Sequence, residues 1–137
     1  MPSQLEHAIP TKISELHRRL VGPKLRIAGR VLVYDAADAL ATLLDYDGRH
    51  TVSVDVSNAL DDRSGEWASE RLSTVIALGY LEEIYSEHPR TDDLPSGVEP
   101  PTAGIRFRAI LVAPARDLDL MLWDAVVEDV QARAGEK

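Results

Sequence analysis

The side chains that could do chemistry in this chain are four histidines, a scatter of aspartates and one serine in an apolar run. His7, His17, His50 and His88 lie far apart, with no metal-ligand spacing among them. Asp35, Asp38, Asp45, Asp47 and Asp55 are numerous, but they match no twelve-residue calcium loop. Turns and strand edges account for them. Ser53 lacks the Gly-x-Ser-x-Gly elbow that would expose a nucleophile. No glycine-rich phosphate loop occurs. The absence of cysteine excludes disulfides, thiolate zinc sites and a cysteine nucleophile. These residues predict a protein that is not an enzyme and needs no cofactor or metal.

Contact with nucleic acid is the other chemistry on offer. In "KLRIAGRVLVYD", residues 24–35, Arg26 and Arg30 share one face of an alternating run that ends in Tyr34. Residues 1–30 carry six basic side chains against two acidic ones, a local charge of +4 in a chain of net charge −8. A protein that grips nucleic acid unaided needs a larger basic footprint. Stacking of bases needs exposed aromatics in a basic groove, and aromatics are 5% of this chain. The candidate nucleic-acid residues are therefore Arg18, Arg19, Lys24, Arg26, Arg30 and Tyr34, grazing a strand that a partner holds. The tyrosines can equally serve to close the ends of a core.

The 137 residues suit one domain with one core. No run of about 18 apolar residues predicts a membrane span. The start, "MPSQLEHAIPTK", lacks the apolar core of a secretion signal. Residues 12–20 put Ile13, Leu16 and Leu20 on one face of a short helix, with Thr11 able to cap it. Strands follow at 24–35, 39–47 and 50–57, the last two joined by the hairpin signal Asp47-Gly48. Residues 58–72 change to a helical character. A fourth strand is predicted at 73–86 and a fifth at 105–113. Between them, 87–104 holds four prolines and four acids and reads as a flexible loop outside the core. A helix over 117–134, capped by Asp117, closes the chain.

Three meandering strands, a helical connection and two more strands are the order of a five-stranded Greek-key OB barrel. The expected fold is mainly β, a single OB-fold domain with a C-terminal α-helix. Gly29 and Gly79 would sit where two strands must bend, or where a crowded neighbour leaves no room for a side chain. Alternation places Leu25, Ile27, Val31, Val33, Val52, Val54, Val56, Val75, Phe107 and Leu111 inside. Leu32, Ile76, Leu78, Tyr80, Ile110 and Val112 would then point outward.

The terminal helix is apolar around most of its girth, with Asp124, Glu128 and Gln131 marking its wet side. A helix of this kind either plugs its own barrel or touches a second protein as well. The partner-binding residues predicted from it are Leu118, Met121, Leu122, Trp123, Val126, Val127 and Val130.

The first strand, with its Gly-Arg step and Tyr-Asp end, is similar to one particular family. "LATLLDYDG", "VSVDVSNAL", "GEW" at 65–67 and "VIALGYLEE" at 75–83 carry the likeness onward. Together they resemble the smallest OB-fold subunit (Ten-one) of the telomere-capping CST complex, in its fungal form. The likeness spans most of 11–85 and, more loosely, the last strand and helix. The sequence departs from that family in the "ASERLS" spacer after Trp67 and in the enlarged loop at 87–104. The resemblance implies a nuclear, telomeric, non-catalytic subunit. It would pair with a larger OB-fold subunit through its barrel side and helix, protect single-stranded telomeric DNA within the complex, and support fill-in synthesis by polymerase alpha–primase indirectly. Two other readings stand beside it: a small OB-fold subunit of a different single-strand-binding genome-maintenance complex, and a free-standing single-strand-binding protein.

Overall fold

The strand that carries the Gly-Arg step pairs along both of its edges, and this closes the sheet on itself. A computed structural model describes residues 8–18, 21–60, 67, 72–84, 94–102 and 104–135. Its elements are β1 (Ile9–Pro10), a 3-10 helix (Ile13–Arg18), β2 (Leu25–Asp35), β3 (Leu40–Leu44), β4 (Thr51–Asp55), β5 (Thr74–Glu83), β6 (Ile105–Pro114) and α1 (Leu120–Gly135). The sheet order is β1-β2-β3-β4-β6-β5, and β5 returns to pair with β2. β2 meets β5 through residues 25–30 and β3 through residues 30–35. β4 and β6 run parallel, which is the Greek-key closure. The architecture is a closed five-strand barrel with one added strand and one C-terminal helix.

The added strand, β1, has no counterpart in the sequence prediction, because two residues carry no periodicity. Amides at and just beyond it hold it to β2: Ile9 N donates to Lys24 O at 2.9 Å and Thr11 N to Arg26 O at 2.9 Å. Pro10, with no N–H to give, sits between those donors where none is needed.

The barrel interior holds Leu25, Ile27, Val31, Val52, Val54, Val56, Val75, Ala77, Leu81, Phe107 and Ala109. Trp67 joins them. The rest of the predicted helical segment, 61–66 and 68–71, lies outside the described residues. Two extra residues alter the predicted faces. β2 advances by one residue between Val31 and Val33, opposite Leu43 and Thr42. β6 does the same between Ala109 and Leu111, opposite Gly79 and Leu78. Such a bulge reverses the parity of everything beyond it. Hence Leu111, predicted inside, is exposed, and Val112, predicted outside, is buried in the core. Val33 is half-exposed, and Leu32 is buried.

Both helix caps differ from expectation. The Thr11 hydroxyl donates backward to Ile9 O at 2.9 Å. The first turn of the 3-10 helix is capped instead by the buried Asp45, whose Oδ2 accepts from Ser14 N at 3.1 Å. α1 begins at Leu120, and its cap is Asp119, whose Oδ1 accepts from Met121 N at 3.0 Å and Leu122 N at 3.3 Å. Asp117 lies in the turn before it, where Leu118 N donates to Ala115 O.

Candidate partner and nucleic-acid interfaces

α1 packs on β2. Its Leu120 and Val127 are buried, as are Ala28 and Leu32 on the outer side of β2. Two polar pairs fix its rotation. Lys12 forms an ion pair with Glu128, and Gln131 Nε2 donates to Glu15 Oε1 at 2.9 Å. The side expected to be wet is therefore turned partly toward the 3-10 helix. The apolar residues Leu122, Val126 and Val130 are left outside at 61%, 47% and 37% exposure. Their spacing of four residues aligns them as one ridge, with Met121 exposed on the flank. Leu118 and Trp123 are half-buried at the margin. Val127 corrects the predicted partner set: at 0% exposure it is committed to the barrel.

Asp124 is placed awkwardly beneath this helix. Its Oδ1 is buried, with no hydrogen-bond partner among the described residues. Burial, followed by the nearby Asp45 charge, pushes its carboxyl up to about 6. The folded chain thus holds this proton more tightly than the unfolded chain does. The stabilisation is fully present below the ordinary carboxylate range and is lost as pH rises through about 6. Asp124→Asn should accordingly raise stability by about 1 kcal/mol at neutral pH, allowing for the part of the side chain that water still screens. Thermal melts of both chains across pH should converge in acid. A variant less stable than the parent at alkaline pH would contradict the assignment.

The candidate nucleic-acid residues are not brought into one groove. Lys24, just before β2, and Arg26, on it, are half-buried, and Arg30 is exposed farther along the strand. Arg19 and the Arg18 side chain lie outside the described residues. Tyr34 packs against the core, its ring edge-on to Trp67 at 6.0 Å and 75°, so it closes a barrel end. OB folds commonly bind oligonucleotides across the second and third barrel strands, which in this chain are β3 and β4. Their half-exposed positions are Leu40, Thr42, Leu44, Ser53 and Asp55, with no aromatic among them. The nearby arginines, not singled out by spacing alone, are engaged: Arg106 with Asp55 at 3.8 Å and Arg108 with Glu82 at 3.3 Å.

No protein-family model matches the chain, and no curated protein matches it. Solved structures do. The S. pombe Stn1-ten1 complex contains a chain similar over 92% of this one and 93% of its own length, at 20% identity and a TM-score of 0.63. The telomere capping protein Ten1 from Saccharomyces pombe is similar over 92% and 99%, at 20% identity and a TM-score of 0.62. U. maydis Replication protein A bound to ssDNA is similar over 93% and 92%, at 19% identity and a TM-score of 0.59. Barrel order, terminal helix and these likenesses agree: the chain is a single Ten1-like OB fold.

Proposed function

We propose that this chain is a non-catalytic subunit of a telomere-capping complex. It pairs with a larger OB-fold subunit, helps to protect single-stranded telomeric DNA in the nucleus, and supports fill-in synthesis by polymerase alpha–primase only through the assembled complex. The observation that carries the reading is the outward ridge Leu122–Val126–Val130 on a helix whose other side is already docked. An aligned row of large aliphatics left in water is a surface awaiting cover. The exposed Ile110 and Leu111, at the β6 bulge, and the half-exposed Leu78 opposite Leu111 offer a second apolar area on the barrel side. A likeness to a chain of the Stn1-ten1 complex supports a role as one subunit of a protein pair. Pull-down from source-cell extract tests the reading. It requires stoichiometric recovery of a larger OB-fold protein.

The likeness to Replication protein A bound to ssDNA favours a second reading, in which the chain serves another single-strand-binding complex or binds alone. The two diverge for the isolated chain. With net charge −8 and no aromatic platform on β3 and β4, the chain alone should bind a single-stranded oligonucleotide weakly at physiological salt. Reversal of Arg26 and Arg30 should flatten the salt dependence of the complex's affinity. Fluorescence anisotropy measures both quantities. Tight, saturable binding by the purified chain would favour the free-standing binder.

A further inference from the structure

The connection between β5 and β6 is tied to the β3–β4 hairpin, and the tie centres on His50. In the main chain, Glu99 N donates to Arg49 O at 2.8 Å, and the Thr51 hydroxyl donates to Glu99 O at 2.7 Å. In the side chains, Arg49 Nη2 lies 3.1 Å from Glu99 Oε1. His50 stands between two carboxylates: Nδ1 is 2.5 Å from Asp47 Oδ2, and Nε2 is 3.3 Å from Glu99 Oε2. A neutral imidazole has one N–H and one lone pair, so it can donate to one carboxylate while turning the lone pair on the other. Only the imidazolium donates to both.

We propose that His50 is a proton-operated latch, fastening residues 94–102 onto the β3–β4 hairpin when its ring is protonated and slackening them when it is not. Asp47 remains ionised for this purpose. Burial pushes its carboxyl up, but hydrogen bonds from the His50 and Arg49 amides and the His50 ring outweigh that and hold it below the usual range. The other charged groups facing the ring are Arg49 on the hairpin and Glu99 on the connection. Asp124, from α1, lies within Coulombic reach of Asp47, and because its carboxyl is pushed up to about 6 its negative charge falls over the same pH range. The Arg49–Glu99 ion pair and the two main-chain bonds are made without the His50 ring, so losing the proton loosens the connection without releasing it. Histidine is the side chain that ordinarily changes charge in this pH range. The β5–β6 connection is also one of the two loops that border the ligand surface of OB folds. The latch therefore sets the rim of that surface, and it operates whether or not the chain joins a telomeric complex.

Amide hydrogen exchange on the full chain, corrected for the intrinsic pH dependence of exchange, tests this. Protection of the Glu99 amide should rise about two- to five-fold from about pH 8 to about pH 6, the range expected of an exposed ion pair. His50→Gln should abolish the rise, and Glu99→Gln, which keeps both main-chain bonds, should do the same. Both sites are partly exposed, and a melting curve confirms that each variant folds. An equal rise in either variant, or a flat profile in the parent chain, would overturn the latch.

Discussion

Leu122→Glu should weaken pairing with the proposed larger OB-fold subunit by at least about 100-fold, while the melting temperature of the chain alone stays nearly unchanged. Leu122 is 61% exposed, so in the free chain the glutamate sits in water and costs little. In the complex the same carboxylate would be buried on an apolar ridge, where Val126 and Val130 offer it no counter-ion. An unpaired buried charge opposes binding far more than a lost contact does. Val126→Glu, one turn along the ridge, should behave alike. Val127→Glu is the contrasting case. It places the charge under the helix at a fully buried site, so the fold itself should fail. Calorimetric titration of the purified subunits, with circular dichroism of each variant, separates the two classes. If Leu122→Glu and Val126→Glu both pair normally, the partner does not use this ridge.

The rotation of α1 that makes this contrast possible was not legible in the sequence. The helix is apolar around most of its girth, so no hydrophobic stripe selects one orientation. What selects it is a pair of contacts from residues more than a hundred positions away, Lys12 with Glu128 and Glu15 with Gln131. The barrel order was legible because 24–35, 50–57 and 73–86 are strand-like runs bounded by turn signals, alternation in 50–57 is clean and the Asp47-Gly48 hairpin is unambiguous. The faces of β2 beyond Val31 and of β6 beyond Ala109 were not. "IRFRAILVA" alternates only as far as Ala109, and the next three residues are all aliphatic. A strand of that kind conceals its extra residue, and only pairing with β5 shows that Ile110 is the one left over. The caps were hidden for a related reason. Asp117 and Asp119 are equivalent by type, and the Asp45 that caps the 3-10 helix arrives from another strand's turn. Composition alone makes the loop over 87–104 independent of the core. Its second half, 94–102, carries Glu99, whose ties to the hairpin no local composition could reveal.

Gly79→Ala should destabilise the chain by about 3 kcal/mol or more, a large effect for the addition of one methyl group. The sequence offered two roles for this glycine, a bend or a close approach, and the structure supports the second. A Cβ at position 79 would stand 2.0 Å from Arg108 O, 2.8 Å from Arg108 C and 2.9 Å from Ala109 Cα. All three obstructing atoms are main-chain, so no side-chain rotation can clear them. Gly29 makes the instructive comparison. Its Cβ would meet Leu44 O at 2.7 Å and Ile13 Cδ1 at 2.8 Å. The isoleucine tip can turn aside, and only one carbonyl must move, so Gly29→Ala should cost less. For a domain of this size each kcal/mol lowers the melting temperature by about 3–5 °C. Gly79→Ala should therefore melt at least about 10 °C below the parent chain. Ala109→Gly should not rescue it, because the obstruction is not the Ala109 methyl. Deletion of Ile110 should rescue it in part. That deletion removes the extra residue opposite Gly79 and leaves Ala109, Leu111 and Val112 in strict alternation with β5, letting the two strands separate to ordinary ladder spacing. Thermal denaturation of the parent, Gly79→Ala and the two double variants decides the matter. If Gly79→Ala melts within about 2 °C of the parent, the close approach at the bulge does not constrain the fold.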